Sequence, residues 1–359
     1  MKIEITEGRF KRMVSFLIIM LLFLTVLYLV IKVSPVLASF FYFVKNLFLP
    51  FFIALIISYL LHPIVTLLFE RGVPRSIAVL LIYIIFFGSL TIILSKTIPL
   101  LIGQIKDFME NFPSIIEKLE GWLDIIRHDP TYPLPDTIQD GIDSFFENWE
   151  GKFAKGFVDV TSWISNTIGL LFTLFLVPFV SFYILKDYKL IEKTVITFVP
   201  KKQRKEMIRL LRDIDEALGN YIRGQLMVCT LVGVLAYIGY IFLGLPYSLL
   251  LASIVGLTNV IPYLGPFIGA FPAVIVGLSI SWKLGLSVLA VNLIIQALEG
   301  NVISPQIVGR SLHIHPLFII LSLLIGGQVA GIFGMILAVP FFAILKVIIQ
   351  HVALYYRHS

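Results

Sequence analysis

Asn292, Gln296 and Glu299 fall at i, i+4 and i+7 in an apolar stretch near the C-terminus. Residues so spaced share one face of an α-helix. A carboxylate and two amides on that face could bind a polar solute or pass a proton. Glu299 is also the only carboxylate after Glu216. An ionisable group among apolar spans is expensive to keep, so its default reading is functional. The alternative is a helix end at the membrane surface, with Glu299 solvated or paired with Arg310.

Two more amides sit where apolar runs are interrupted. Asn259 lies in Thr258-Asn-Val-Ile-Pro-Tyr-Leu-Gly-Pro266, and Gln328 in Gly326-Gly-Gln-Val-Ala-Gly-Ile-Phe-Gly334. The flanking runs Leu249–Ile261, Phe267–Ile280 and Pro316–Ile325 are short, since a span needs about 20 residues. Pro262 disfavours helix just before it, and Pro266 suits the first turn of a new one. These patterns predict two helical hairpins that dip into the membrane, near 249–280 and 316–349. Paired, Gly/Pro-interrupted segments point to a transporter's binding site, where half-helix ends present dipoles to a solute. Neutral amides there suit an uncharged polyol or a partly desolvated cation. Tyr263 could stack on such a solute or donate a hydrogen bond to it. The competing reading is close helix packing with the amides as interhelical glue.

Other chemistry is poorly represented. His313 and His315 are two apart, which is wrong for one helix face, and only Glu299 is near enough to complete a metal site; they read as turn and interface residues. The lone Cys229 excludes a disulfide framework. Metalloprotease, P-loop and nucleophile-elbow motifs are absent, and no Asp falls in a span, so no enzyme, metal or cofactor is expected.

The elements that must position these residues follow from composition. The 359 residues are 58% hydrophobic and 14% charged, with a mean hydropathy of +0.96, against about 25% charged in a soluble domain. The bilayer is the natural solvent for such a chain. The net charge of +6 reads as loop asymmetry rather than as a nucleic-acid surface. Apolar runs predict spans at Val14–Ile31, Phe40–Leu61, Ile77–Leu100, Ser162–Leu185 and Leu226–Leu243, and Leu284–Leu298 as a further span leading inward. A cleaved signal peptide is the alternative for the first, but its apolar run is long for one.

Charge sets the orientation. Lys2, Arg9, Lys11 and Arg12 place the N-terminus inside, as do Arg71 and Arg75 for the turn after the second span. Residues 102–161 carry 12 Asp/Glu against 5 Lys/Arg and belong outside; residues 186–224 carry 10 Lys/Arg against 6 Asp/Glu and belong inside. Lys346 and Arg357 put the C-terminus inside as well. The outer segment has Ile105, Phe108, Met109, Phe112, Ile115, Ile116 and Leu119 at helical spacing, and a second short helix follows at about Thr137–Trp149. The inner segment holds a basic amphipathic helix with Met207, Leu210, Leu211, Ile214, Leu218 and Tyr221 on one face, suited to the membrane interface. The expected organisation is therefore N-terminal spans over 1–100, an external helical domain over 101–161, a span over 162–185, the basic helix over 186–224 and a transport core over 225–359. Residues 299–315 are expected to form the inner turn between that core's polar-striped span and its second hairpin.

Gly256-Leu-Thr-Asn-Val-Ile-Pro-Tyr-Leu-Gly-Pro-Phe-Ile-Gly269, then Glu299-Gly-Asn-Val-Ile-Ser-Pro-Gln-Ile-Val-Gly-Arg310 and His315-Pro-Leu317, resemble the motifs of the autoinducer-2 exporter (AI-2E) family, the PerM-like permeases. The matching positions are Asn259, Pro262, Gly265, Pro266, Glu299, Asn301, Pro305, Gly309 and Arg310; the His313-Ile-His315 run departs mildly from the pattern. The resemblance implies an all-α, eight-span bacterial inner-membrane protein with two helical hairpins. It also implies homo-oligomers, pentamers by that analogy, with elevator-like transport in each protomer. Its implied cargo is a small polar solute such as autoinducer-2, with Na⁺(Li⁺)/H⁺ antiport at Glu299 as the alternative. A non-transporting envelope scaffold that docks through the external segment is a further one.

Overall fold

Long apolar runs with few breakers leave each stretch one way to satisfy its backbone in a lipid solvent, the α-helix. The computed structural model describes residues 50–127, 167–201, 204–307 and 315–358, with isolated positions between 18 and 33 and at 141 and 144. Among these no strand occurs. The predicted span Val14–Ile31 is described only at scattered helical positions, the predicted Thr137–Trp149 helix only at Gly141 and Ser144, and Arg310 lies outside the described residues.

In chain order the helices are α1 (Pro50–Glu70), α2 (Arg75–Arg127), α3 (Thr167–Lys186), α4 (Tyr188–Thr197), α5 (Arg204–Phe242), α6 (Ser248–Thr258), α7 (Gly265–Ile280) and α8 (Trp282–Leu298). A π-helical turn, Glu299–Ile303, leads into the short α9 (Ser304–Ile307), and α10 covers Pro316–His358. Five segments of the described chain are long and apolar enough to cross a membrane: Pro50–Glu70, Arg75–Gly121, Arg204–Phe242, Trp282–Ile307 and Leu317–Ala353. Large apolar side chains face outward along them, such as Ile85 on α2, Ile294 on α8 and Phe341 on α10. That arrangement suits a surface whose solvent is hydrocarbon.

Several elements run further than periodicity suggested. α1 continues to Glu70 instead of ending at Leu61. α2 does not stop at Leu100 but carries Pro99 and Pro113 inside a single 53-residue helix. Its C-terminal half is packed, because Phe108, Phe112, Ile115, Ile116 and Leu119 join the buried core built from α5, α6, α7 and α8. The basic amphipathic helix and the next span are likewise one helix, α5. The helical face expected on the outer segment is thus present, and its partner is the core.

The first hairpin is α6 and α7. Tyr263, at φ +65° in the link, lets the chain reverse. The arms then approach closely: a Cβ on Gly269 would lie 2.6 Å from the Val255 Cα, and one on Gly265 would lie 2.8 Å from the Asn259 Cα. α6 starts after Tyr247, itself left-handed and offering no side-chain cap. α2 supplies one instead, since Gln104 Oε1 accepts from the Leu250 amide at 2.9 Å, one of the orphan donors of a helix start.

α10 is also a hairpin. Ala330 and Gly331 leave helical geometry, with Gly331 at φ +60°. Gly326 and Gly334 would stand about 12 Å apart in an unbroken helix, yet a Cβ on Gly326 would lie 2.8 Å from the Gly334 carbonyl carbon. The chain has doubled back. The two hairpins meet beside α5, where Ile261 packs in one cluster with Tyr221, Ile222, Leu323, Ala338 and Val339.

Candidate functional site

The end of α6 places Asn259 at a fully buried position. The end of α8 places Glu299 opposite it. A π-helical turn begins at Glu299; such turns insert an extra residue and re-aim side chains, frequently at functional sites. Residues 299–307 therefore continue α8 where a turn had been expected, so the inner link can begin only after Ile307.

Asn259 Nδ2 donates to Glu299 Oε1 at 3.2 Å. Gln296 Nε2 donates to the other oxygen, Oε2, at 3.1 Å. Gln225 of α5, itself buried, donates through Nε2 to the Asn259 carbonyl at 2.7 Å and fixes the hairpin tip against α5. Glu299 is only 8% exposed, and its donors are all neutral. No cation faces it among the described residues, so the pairing with Arg310 stays an expectation.

Asn259 Oδ1 is buried without a hydrogen-bond partner. An orphaned buried acceptor is uncommon and calls for a reason, such as a site for a water, an ion or a ligand. A cavity of about 60 Å³ adjoins the carboxylate, walled by Asn292, Gln296 and Glu299 together with Pro266, Phe267 and Val255. All three residues of the polar stripe thus reach one cavity. Asn292 does so with its amide occupied, since Tyr240 of α5 donates to its Oδ1 at 2.9 Å.

The remaining predicted residues are arranged around this centre. Gly265 and Pro266 are buried and form the close packing of the tip. Pro262 is half-buried at the reversal, and Tyr263 is exposed. Asn301 is exposed and donates to the Ala297 carbonyl on its own helix at 2.8 Å. Gln328 is exposed beside the break in α10 and is not joined to Asn259 or Glu299. Sequence reasoning missed Gln225 and Tyr240. Both are polar groups in an apolar stretch of α5, the same signal that singled out Asn292 and Gln296.

A second polar centre was also missed. Asp215 of α5 accepts from the Tyr59 hydroxyl of α1 at 2.9 Å and from the Tyr188 hydroxyl of α4 at 2.8 Å. His62 packs on the Tyr188 ring at 4.6 Å, and the Arg75 guanidinium lies over the same ring at 5.4 Å. Arg75 Nε also donates to the Leu185 carbonyl at 2.7 Å. Burial, then the bond to Asp215, pushes the Tyr188 hydroxyl from its ordinary value of 10 up to about 12.

Comparison with known proteins shows the family. The family described as AI-2E family transporter matches residues 17–354. YrrI of Bacillus subtilis (strain 168) is 44% identical over 333 residues, which is 93% of this chain and 94% of YrrI. YueF of the same organism is 36% identical over 345 residues, covering 94% of this chain and 92% of YueF. PerM of Escherichia coli (strain K12) is 31% identical over 320 residues, 86% of this chain and 88% of PerM. Their names are provisional ones: transport protein for the first two and permease for the third.

Proposed function

The chain belongs to the AI-2E transporter family, and on that premise we propose that it is a secondary transporter exporting a small polar solute of the autoinducer-2 kind. In this reading it lies in the bacterial inner membrane with both termini in the cytoplasm. It has eight spans, counting the two hairpins as re-entrant elements, and works as a homo-oligomer, a pentamer by resemblance. Each protomer moves its hairpins in an elevator-like step. The observation that carries the reading is the buried Glu299, bonded to Asn259 at a hairpin tip and bordering a cavity. A carboxylate held only by neutral amides can lose its proton, or trade those bonds for a solute, without breaking a salt bridge. Gly265 and Gly269 let the tip pack tightly while staying free of side-chain interlock, which suits an element that moves as a unit.

A second reading rests on Asn259 Oδ1. Asn259 Oδ1 has no partner, and its amide nitrogen already faces Glu299; turned about, that amide would offer its oxygen beside the carboxylate, a pair suited to a hard cation. Exchange of Na⁺ or Li⁺ for H⁺ at Glu299 would use it directly.

The test is flux of labelled autoinducer-2 in proteoliposomes, with and without an imposed pH gradient. Transport above empty liposomes that responds to the gradient supports export. Absence of flux, together with Na⁺-induced collapse of the pH gradient, replaces it with the exchange reading. Neither signal removes both.

A further inference from the structure

The Asp215 centre borders a cavity of about 590 Å³ between α1, α3, α4 and α5. That volume is in the range of small-molecule sites, about 300–1,000 Å³. It lies well away from Glu299: ten residues of α5, about 15 Å of helix, separate Asp215 from Gln225. It sits at an end of the bundle. α1 ends at Glu70, α2 begins at Arg75, α3 ends at Lys186 and the polar α4 starts two residues later. Such a boundary between apolar spans and a charged helix is the level of a lipid headgroup.

The wall of the cavity is divided. One part is apolar, with Leu55, Ile184 and Leu211. The other carries both signs of charge: Arg212 and Arg223 against Asp215, Glu192 and Glu216. Arg223 donates to the Tyr59 carbonyl at 3.2 Å and to Asn220 Oδ1 at 2.8 Å, which leaves three of its five N–H groups for an oxyanion. Asp215 is taken by its two tyrosines, so Glu192 and Glu216 are the carboxylates left to face a cation.

An anionic headgroup would meet three carboxylates on this wall, and a bare cation would meet two arginines. A zwitterion satisfies both sets at once. We propose that this cavity holds the headgroup of a zwitterionic phospholipid, phosphatidylethanolamine, with its phosphate toward Arg212 and Arg223 and its ammonium toward Glu192 and Glu216. The first acyl carbons rest on the apolar wall. The bound lipid bridges α1, α4 and α5, and it does so whatever solute the Glu299 site carries.

The experiment is thermal melting of the purified full chain in detergent, titrated with dioleoyl phosphatidylethanolamine, dioleoyl phosphatidylglycerol or free phosphoethanolamine. Phosphatidylethanolamine should raise the Tm, and the other two should act only at much higher concentration. Arg212→Gln/Glu192→Gln, both at exposed positions, should shift the phosphatidylethanolamine midpoint upward at least about tenfold, roughly 1.4 kcal/mol spread over the two lost charged contacts. Equal response to phosphatidylglycerol would mean a simple anion site, and equal response to phosphoethanolamine a soluble ligand; either overturns the proposal. So does an unchanged midpoint in the double variant.

Discussion

Glu299 and Asp215 are built on the same plan, and the proposed function puts them to different use. Each carboxylate is held by two neutral donors, and each contacts or neighbours α5. At Asp215 the donors are phenols at 2.9 and 2.8 Å from α1 and α4, so the carboxylate ties three helices together. At Glu299 they are amides at 3.2 and 3.1 Å, one of them three residues back on its own helix. The hydroxyl bonds are short, charge-assisted and distributed over the scaffold. The amide bonds are longer, and only the one from Asn259 joins separate elements. On the proposed function the contrast gives rigidity to the Asp215 centre and exchange to the Glu299 centre.

Substitutions should separate the two. Asp215→Ala removes the shared acceptor of two half-buried phenols, two charge-assisted bonds worth about 1–2 kcal/mol each at partial exposure, so about 2–4 kcal/mol in all. The Tm of the purified protein should fall by several degrees. An unchanged Tm would mean that the three helices are held by packing alone. Asn259→Ala removes one of the two donors of a buried carboxylate and should cost about 1–2 kcal/mol, less than Asp215→Ala because Glu299 keeps its Gln296 bond. Proteoliposome flux should drop about tenfold, the size of one hydrogen bond to a charged group. If flux persists while the Tm falls, the hairpin tip is structural and the contrast is reversed. Tyr59→Phe leaves Asp215 with its Tyr188 bond and should cost about 1 kcal/mol, read as a shift in denaturation midpoint, with flux retained.

The smallest effect is one of pH. Tyr188 is raised above its unfolded value of 10 to about 12 in the folded chain. The stability that its protonated hydroxyl contributes is complete below pH 10 and is lost as pH climbs from there through the folded value. Melting should therefore fall off in that alkaline window, and less steeply in Tyr188→Phe. A wild-type and variant profile of identical shape would detach Tyr188 from the clamp.

The same contrast governs what the amino-acid sequence made legible. The Glu299 centre could be read because its signals are local. Asn292, Gln296 and Glu299 are polar in an apolar stretch at helical spacing, and Asn259 sits just before two prolines at a break. That Asn259 meets Glu299, 40 positions away, depends on the hairpin folding against α8, and spacing carries no information about that. The π-helical turn was equally hidden, since Gly300 and Pro305 suggest a turn to any local rule. The Asp215 clamp left no trace. Asp215 is one of six acidic residues in a charged segment, and its partners come from positions 156 and 27 residues away. The long α2 was misread for a related reason. Its polar C-terminal half carries no local sign that the helix runs on past Leu100 and packs Phe108 and Phe112 on the core.

The central claim is that Glu299 serves transport while Asp215 serves architecture. Its most direct test is one flux assay on Glu299→Gln and Asp215→Asn in matched proteoliposomes, normalised to folded protein. Both changes keep the shape of the side chain and remove its charge. Flux driven by a pH gradient should vanish in Glu299→Gln and survive in Asp215→Asn. Gradient-driven flux that survives in Glu299→Gln and vanishes in Asp215→Asn would contradict the assignment outright.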